Sequence, residues 1–256
     1  MTKELLLSGV GLSKHYSGLT AVSDVSVQVR AGEIVGLVGP NGAGKTTLVD
    51  IICGSQRADS GHLEIGGRRV GRTPARRARA GLARTFQHPL LASSLTIREN
   101  LLVGRASLAH GSTWAMVSGL VRGLVQTSSA TDDQAIDGIA GELGLQDLNR
   151  LAGDLSLGEQ RLVEVGRALS QDPLVLLLDE PFAGADAHGI EGIIEAVKIV
   201  QRRGHGVILV DHNVDIVAGL VSRMMLLNLG EVVFDGAPEV CVSSEEMNRV
   251  YFGATT

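Results

Sequence analysis

One glycine-rich segment constrains this chain more than any other, because residues 39–47 read Gly-Pro-Asn-Gly-Ala-Gly-Lys-Thr-Thr. The segment matches the phosphate-loop pattern G-x-x-x-x-G-K-[ST]. An apolar run over residues 34–38 precedes it and a helix-like run over residues 46–52 follows it. That strand–loop–helix context is the one the motif requires. We therefore predict a nest of backbone N–H groups that binds anions at the start of a helix.

Two residues near the C-terminal end of this loop have expected roles toward a nucleoside triphosphate. Lys45 would reach the β- and γ-phosphates, and the Thr46 hydroxyl would bind Mg²⁺. A glycine-rich turn that matches by chance is the structural alternative, and the elements further along the chain weigh against it. The candidate nucleotide-binding residues of the loop are Gly39, Pro40, Asn41, Gly42, Ala43, Gly44, Lys45, Thr46 and Thr47.

A second apolar run ends in two acids. Residues 174–178 are continuously apolar and are followed by Asp179 and Glu180. Ligands of open α/β sheets bind at the carboxyl ends of the strands. Asp179 suits the shell of Mg²⁺, and Glu180 is placed to polarise an attacking water. The alternative is a strand that ends in a solvated acidic turn, and the phosphate loop upstream favours the catalytic interpretation.

Composition narrows the class of protein. A hydrophobic content of 44% is enough for a domain with a hydrophobic core. The net charge of −5 argues against binding of nucleic acid through overall charge. The two cysteines, Cys53 and Cys241, are too few for a disulfide framework and fit a reducing compartment. We find no apolar stretch long enough to span a bilayer and no apolar core of a signal peptide. Helical patterns between the apolar runs predict a parallel, doubly wound sheet, and the alternation over residues 5–35 predicts antiparallel strands.

Between the two elements, the chain resembles the signature of ABC-transporter ATPases. Residues 155–161 read Leu-Ser-Leu-Gly-Glu-Gln-Arg, similar to L-S-G-G-Q with Leu157 in place of the first glycine. Ser156 and Glu159 also have the spacing of a helix capping box, and both interpretations hold together. The resemblance implies that Ser156 and Gly158 approach the γ-phosphate bound by a second subunit. The helix N-terminus would stabilise that negative charge.

Four further residues follow the order of that family. Tyr16 resembles the aromatic residue that stacks on adenine, with a plain core or surface tyrosine as the alternative. Gln87 resembles the glutamine that touches Mg²⁺ and links the site to a membrane partner. The segment that contains Asp186 resembles the loop that crosses the dimer interface in that family. His212 resembles the switch histidine that contacts the γ-phosphate, with a solvated histidine as the alternative.

The resemblance covers essentially the whole chain and implies the ABC ATPase fold. This is an α/β P-loop NTPase (RecA-like) parallel core with an antiparallel β subdomain and a helical signature subdomain. We expect one domain over residues 1–256, with the β subdomain near 1–35 and 60–72 and the helical subdomain near 90–165. The implied activity is ATP hydrolysis with ATP and Mg²⁺ bound. The implied catalytic residues are Glu180, His212 and Gln87, and the implied metal-binding residues are Thr46, Gln87 and Asp179.

The resemblance also implies partners. Two ABC ATPase subunits, identical or related, would act on integral membrane permease subunits at the cytoplasmic side of the inner membrane. A periplasmic solute-binding protein would deliver the cargo, and no nucleic acid is expected.

The chain is most similar to the branched-chain amino-acid uptake ATPases, through residues 84–87, the long segment after Gln87 and residues 249–253. Residues 178–184 and 210–214 equally resemble the lipopolysaccharide-export ATPases, and urea or amide importers are also similar. A non-transport ABC ATPase is disfavoured by the single cassette and by the absence of a heptad run between Lys45 and Ser156. The signature motif disfavours a kinase-like use of the loop.

Two segments leave alternatives open. Residues 68–84 carry seven arginines and no acid. We favour a solvated helix that leads into the loop of Gln87, rather than a surface that binds RNA or anionic lipid. Residues 105–131 resemble an insertion in the helical lobe, near where a membrane subunit docks. A packed helical hairpin is an equal alternative, and a membrane-surface helix is a third.

Overall fold

The computed structural model describes residues 3–110 and 130–253, and it describes side chains there except at residues 106–110, 130 and 252. The strands are β1 Leu5–Tyr16, β2 Leu19–Arg30, β3 Ile34–Val38, β4 Ser60–Ile65, β5 Arg68–Arg69, β6 Leu82–Arg84, β7 Val175–Asp179, β8 Gly206–Val210, β9 Arg223–Asn228 and β10 Glu231–Gly236. The helices are α1 Lys45–Cys53, α2 Pro74–Arg79, α3 Ile97–His110, α4 Ala130–Glu142, α5 Leu157–Leu169, α6 Ala187–Arg202, α7 Val214–Ala218, α8 Pro238–Val242 and α9 Glu245–Phe252, with a 3₁₀ turn at Ala152–Asp154.

A four-stranded antiparallel sheet has the order β2-β1-β4-β5. In β2, Val25, Val27 and Val29 are buried while the residues between them are exposed, as expected for a strand with one face on the core. The turn between β4 and β5 is formed by Gly66 and Gly67, both at positive φ, which suits a two-residue hairpin loop. The predicted antiparallel strands are confirmed.

A six-stranded sheet has the order β10-β9-β3-β8-β7-β6 and is parallel except for the edge strand β10. Every residue of β3, β7 and β8 is buried, because apolar clusters cover both faces of the sheet. The predicted parallel α/β core is therefore confirmed. Its carboxyl edge brings together the segments that follow β3, β6, β7 and β8.

Helices α3, α4 and α5 pack around a separate apolar cluster. Ile97, Leu101, Ile136 and Val163 lie at its centre and are almost fully buried. No helix in the described part of the chain combines the length and apolar character needed to cross a bilayer. The predicted insertion at residues 105–131 falls mostly on residues 111–129, which lie outside the described residues.

The expectation of one solvated helix over residues 68–84 is wrong. The segment forms strand β5, the six-residue helix α2 and strand β6. Pro74 starts α2, and Gly81, at φ 99°, turns the chain into β6. The two short strands β5 and β6 could not be recognised from the pattern of arginines. Arg77 is buried rather than solvated.

Candidate functional site

The phosphate-loop segment connects β3 to α1 and depends on two of its glycines. A Cβ on Gly39 would lie 2.2 Å from the carbonyl oxygen of Leu227, and one on Gly44 would lie 2.3 Å from that of Ala21. Both glycines also have positive φ. The loop is held further by a hydrogen bond from Gly230 N to Ala43 O. Neighbouring backbone therefore encloses the loop and allows no side chain at either position.

Lys45 concentrates positive charge at this loop. Its Nζ donates to the carbonyl oxygens of Gly39 at 2.5 Å and Pro40 at 3.0 Å. Burial lowers the pKa of Lys45, and the carboxylates of Glu180, Asp179 and Asp211 oppose that change. The lysine is thus tied to loop carbonyls while facing three acids, where phosphate oxygens would be favourable partners.

Glu180 and Gln87 are brought together at the carboxyl edge of the sheet. Gln87 Nε2 donates to Glu180 Oε2 at 2.8 Å. Glu180 has φ 46°, a left-handed conformation that costs a non-glycine residue about 1 kcal/mol or more. Its backbone is fixed by a hydrogen bond from Glu180 N to Val210 O. The glutamate is therefore held in a strained, defined position with one carboxylate oxygen paired to Gln87.

Arg84 joins Asp179 to the helix that follows the loop. Its guanidinium donates to Asp50 Oδ1 and to Asp179 Oδ2, both at 2.8 Å. Burial disfavours the charged form, yet the bonds to Asp50 and Asp179 leave the pKa of Arg84 above its ordinary value. Sequence reasoning missed this bridge. The only signal for it was an arginine directly before residues 85–90, which contain Gln87 and which we call the glutamine segment.

Helix α5 holds the glutamine segment through buried charges. Glu164, only 1% exposed, accepts hydrogen bonds on Oε1 from Phe86 N at 3.2 Å and Leu90 N at 3.4 Å. Arg161 donates to the carbonyl oxygens of Phe86 and Gln87. Arg167 donates to the carbonyl oxygen of Leu90. We call Arg161, Glu164 and Arg167 the helix clamp. Their three-residue spacing on one helix was the signal that sequence reasoning overlooked.

Asp211 and His212 directly follow strand β8. Asp211 is buried and accepts a hydrogen bond from Asn213 N at 2.9 Å, and sequence reasoning did not single it out. The side chain of His212 is 64% exposed, with Nδ1 at 3.6 Å from Asp211 Oδ1. In the described part of the chain, no hydrogen bond joins His212 to Glu180. The histidine thus lies at the expected strand end with its ring turned to solvent.

Ser156, Gly158 and Asp186 form a separate group. Ser156 and Glu159 make the predicted capping box at the start of α5. Asp186 caps α6 by accepting from Gly189 N at 2.8 Å. A Cβ on Gly158 would lie 2.9 Å from Gly189 Cα, so the two helix starts touch. These residues line one cavity of about 290 Å³, and residues 39–47 are not part of its wall.

Tyr16 lies at the end of β1 and is half-exposed. Lys14 Nζ lies 5.2 Å from the centre of its ring and also pairs with Asp59 at 2.9 Å. The lysine thus occupies one face of the ring by a cation–π contact.

This arrangement is that of a known family. A model of the ABC transporter family matches residues 22–183, from β2 to the residues after β7. The chain belongs to the ABC transporter family.

The relatives of this chain are named for the transport of different substances. It is 34% identical to the high-affinity branched-chain amino acid transport ATP-binding protein LivG of Salmonella typhimurium, over 97% of this chain and 98% of that protein. It is 36% identical to the lipopolysaccharide export system ATP-binding protein LptB of Acidithiobacillus ferridurans, over 97% of each. A solved ATP-binding cassette of an ABC transporter in its ADP conformation superposes with a TM-score of 0.83 and 27% identity, covering 98% of this chain and 99% of that one.

These findings confirm the predicted ABC ATPase fold and identify the chain as an ATP-binding, ATP-hydrolysing subunit of an ABC transporter. The predicted resemblance to the branched-chain amino-acid uptake ATPases is likewise confirmed.

The oxygen donors at the site fit Mg²⁺. Thr46 is exposed at the start of α1, and Asp179 uses Oδ2 for Arg84, which leaves Oδ1 for a metal or its water. Among the described residues, no group of three His, Cys, Asp or Glu side chains could hold a metal. Mg²⁺ in nucleotide sites uses one or two protein oxygens with phosphates and water, so such a cage is not needed.

Proposed function

We propose that this chain powers import of a small solute, with branched-chain amino acids as the cargo, through ATP-driven closure of two ABC ATPase subunits. The observation that carries the ATPase mechanism is the hydrogen bond between Gln87 and Glu180 beside the phosphate loop. Similarity to LivG supports the cargo.

The proposed ATP site is composite. One copy contributes Lys45, Thr46, Gln87, Asp179, Glu180 and His212, with Tyr16 against the adenine. A second ABC ATPase, identical or related, contributes Ser156 and Gly158, and Asp186 lies at the interface. The separate cavity around Ser156 supports this division, since its wall contains none of residues 39–47.

Hydrolysis follows from the residues at the sheet edge. Glu180 polarises a water in line with the γ-phosphate, while Gln87 holds its other carboxylate oxygen. Lys45 exchanges the carbonyls of Gly39 and Pro40 for phosphate oxygens. Mg²⁺, held through Thr46, Asp179 and Gln87, would neutralise charge on the phosphates. Loss of the γ-phosphate removes the group that both copies share, so the closed dimer opens.

The site is coupled to a partner through the glutamine segment. A groove of about 280 Å³ beside this segment is lined by Arg84, Phe86, Val103 and Arg167, among others, and Phe86 is exposed there. We propose that a cytoplasmic segment of an integral membrane permease docks in this groove. A shift of Phe86 would then reach Gln87 directly and α5 through the helix clamp. The chain would lie peripherally on the cytoplasmic side of the inner membrane, and a periplasmic solute-binding protein would deliver the cargo.

Lipopolysaccharide export is the second candidate, because similarity to LptB is equally extensive. The division into a β subdomain, a helical subdomain and a core at the residue boundaries given above also stays a proposal.

One experiment separates the candidates. Tagged Glu180→Gln is trapped with ATP and Mg²⁺ in gently solubilised host membranes, and bound proteins are identified by mass spectrometry. Permease subunits with a second ABC ATPase and an amino-acid-binding protein would support import. Permeases of lipopolysaccharide export would support the second candidate. Ribosomal or DNA-bound proteins without a permease would overturn the transport proposal.

A further inference from the structure

Arg77 is a buried charge for which the described part of the chain supplies no hydrogen-bonded partner. It lies on α2 with 6% of its surface exposed, and it packs on Gly54 at the end of α1, where a Cβ would lie 3.2 Å from Arg77 Cγ. Its Nε and Nη1 are closed to solvent and make no hydrogen bond within the described residues. A buried charge with no hydrogen-bonded partner is costly. The Arg77 guanidinium is therefore in an unfavourable environment that a bound anion would improve.

Arg77 forms part of the wall of a basic cavity. This cavity encloses about 200 Å³ between β4, β5, the loop after α1 and the loop before α2. We call it the arginine cavity. Its polar and charged lining residues are Gln56, Arg57, His62, Arg69, Arg72 and Arg77.

Among the described residues, acids lie beside only some of the basic side chains at the arginine cavity. Burial lowers the pKa of Arg77, the neighbouring Cys53 opposes that change, and the nearby positive charge of Arg72 lowers the pKa further. Glu64 is the nearby acid, at 3.7 Å from His62 Nε2 and 3.9 Å from Arg69 Nε. Within the described residues, neither Arg57 nor Arg72 has an ion pair. An anion in the cavity would relieve the repulsion between the guanidinium groups of Arg72 and Arg77.

We propose that the arginine cavity binds a single phosphate-sized anion between Arg77 and Arg72. Guanidinium groups match phosphate oxygens in geometry and charge. The ligand is a phosphate group, either inorganic phosphate or the headgroup of an anionic lipid. The cavity is distinct from the nucleotide site, because none of residues 39–47 lines it.

The cavity suits a phosphate group better than a nucleic acid. Its volume is below the range of pockets that take drug-sized ligands, which begins at about 300 Å³. Among the described residues, no Phe, Tyr or Trp lines its wall, so the wall offers no ring on which a base could stack.

A bound anion would also act on the groove proposed for the permease, because Arg77 lines that groove as well. Occupancy would fix Arg77 between the end of α1 and the groove.

Calorimetric titration with inorganic phosphate tests the site. The protein is first saturated with a non-hydrolysable ATP analogue, so that phosphate cannot bind at residues 39–47. We expect one bound phosphate. Arg77→Met and Arg72→Gln should each weaken it by about tenfold or more, as loss of a charged hydrogen bond predicts.

Arg76→Gln is the matched control and should change phosphate affinity by less than about twofold, since surface substitutions have small effects. Arg76 lies on the same helix, is exposed and does not line the cavity.

Thermal unfolding keeps the test decisive if Arg77→Met alters folding. With the ATP analogue again present, phosphate should raise the Tm of wild type and of Arg76→Gln, but not that of Arg77→Met. In phosphate-free buffer, Arg77→Met should melt at or above the wild-type temperature, because it removes an unpaired buried charge.

Sedimentation with vesicles identifies the source of the phosphate group. Binding to phosphatidylglycerol vesicles but not to phosphatidylcholine vesicles, lost in Arg77→Met and kept in Arg76→Gln, would assign a lipid headgroup. Phosphate binding without vesicle binding would assign the free anion. Absence of phosphate binding, equal loss in Arg76→Gln, or binding of an RNA oligonucleotide that depends on Arg77 without phosphate binding would overturn the proposal.

Discussion

The guanidinium of Arg84 lies 2.8 Å from the carboxylate of Asp179, at the end of the strand that also presents Glu180. The same guanidinium lies 2.8 Å from Asp50 on α1, and its Cζ lies 5.1 Å from the centre of the Phe86 ring. One side chain therefore joins the helix of the phosphate loop, the acid proposed for Mg²⁺ and the groove proposed for a permease.

Arg84→Met should destabilise the protein by about 2 kcal/mol, because two partly buried carboxylates lose their partner. Urea unfolding measures the change. Arg84→Lys should recover only part of it, since an ammonium cannot span both acids as a guanidinium does. The control is a double-mutant cycle, in which Asp50→Asn costs less in the Arg84→Met background than in wild type. Strictly additive effects would show that the bridge contributes nothing.

Glu164 should make stability depend on pH in a defined direction. Burial is the largest influence on this carboxyl and raises its pKa above the ordinary 4.5, against the hydrogen bonds from the 86–90 segment and the nearby arginines. A carboxyl with a raised folded pKa stabilises the fold in its neutral form. That stabilisation is complete below 4.5 and is lost as pH rises through the folded pKa.

The free energy of unfolding of wild type relative to Glu164→Gln should therefore fall as pH rises from 4.5 toward neutrality. Glutamine is the matched variant because its carbonyl oxygen can still accept from Phe86 N and Leu90 N. Denaturant titrations across this range measure the difference. A difference that rises with pH would mean that Arg161 and Arg167 outweigh burial and hold the carboxyl ionised.

Tyr16→Ala should weaken the binding of ATP. It should leave unchanged the binding of vanadate to protein that carries no nucleotide. The ring would contact only the base, and loss of base stacking costs about 1–3 kcal/mol. Tyr16→Phe keeps the stacking face and should bind ATP as wild type does. Fluorescent-nucleotide displacement compares the three proteins. Equal loss for ATP and vanadate would remove Tyr16 from the adenine site.

Local motifs made much of the fold predictable. Contacts between residues far apart in the sequence could not be predicted from such motifs. Residues 39–47 and 174–180 carry their own pattern of glycines, apolar residues and acids, so both strands and the edge where they meet could be read directly. Arg84 and Asp179 are 95 residues apart, and Arg161 and Gln87 are 74 apart. No local periodicity reports such pairs. Strand β6 has three residues, which is too short to show alternation. For this reason the sequence pattern of the arginine-rich segment predicts one helix.

Glu180→Gln tests the central claim most directly. ATP binding and ATP turnover are measured side by side on the affinity-purified complex, with Glu191→Gln, an exposed glutamate of α6, as the matched control. We predict unchanged ATP affinity and a fall in turnover of about 100-fold or more, the range expected when a general base is lost. The control should turn over ATP as wild type does. Wild-type turnover in Glu180→Gln would contradict the catalytic site described for this chain.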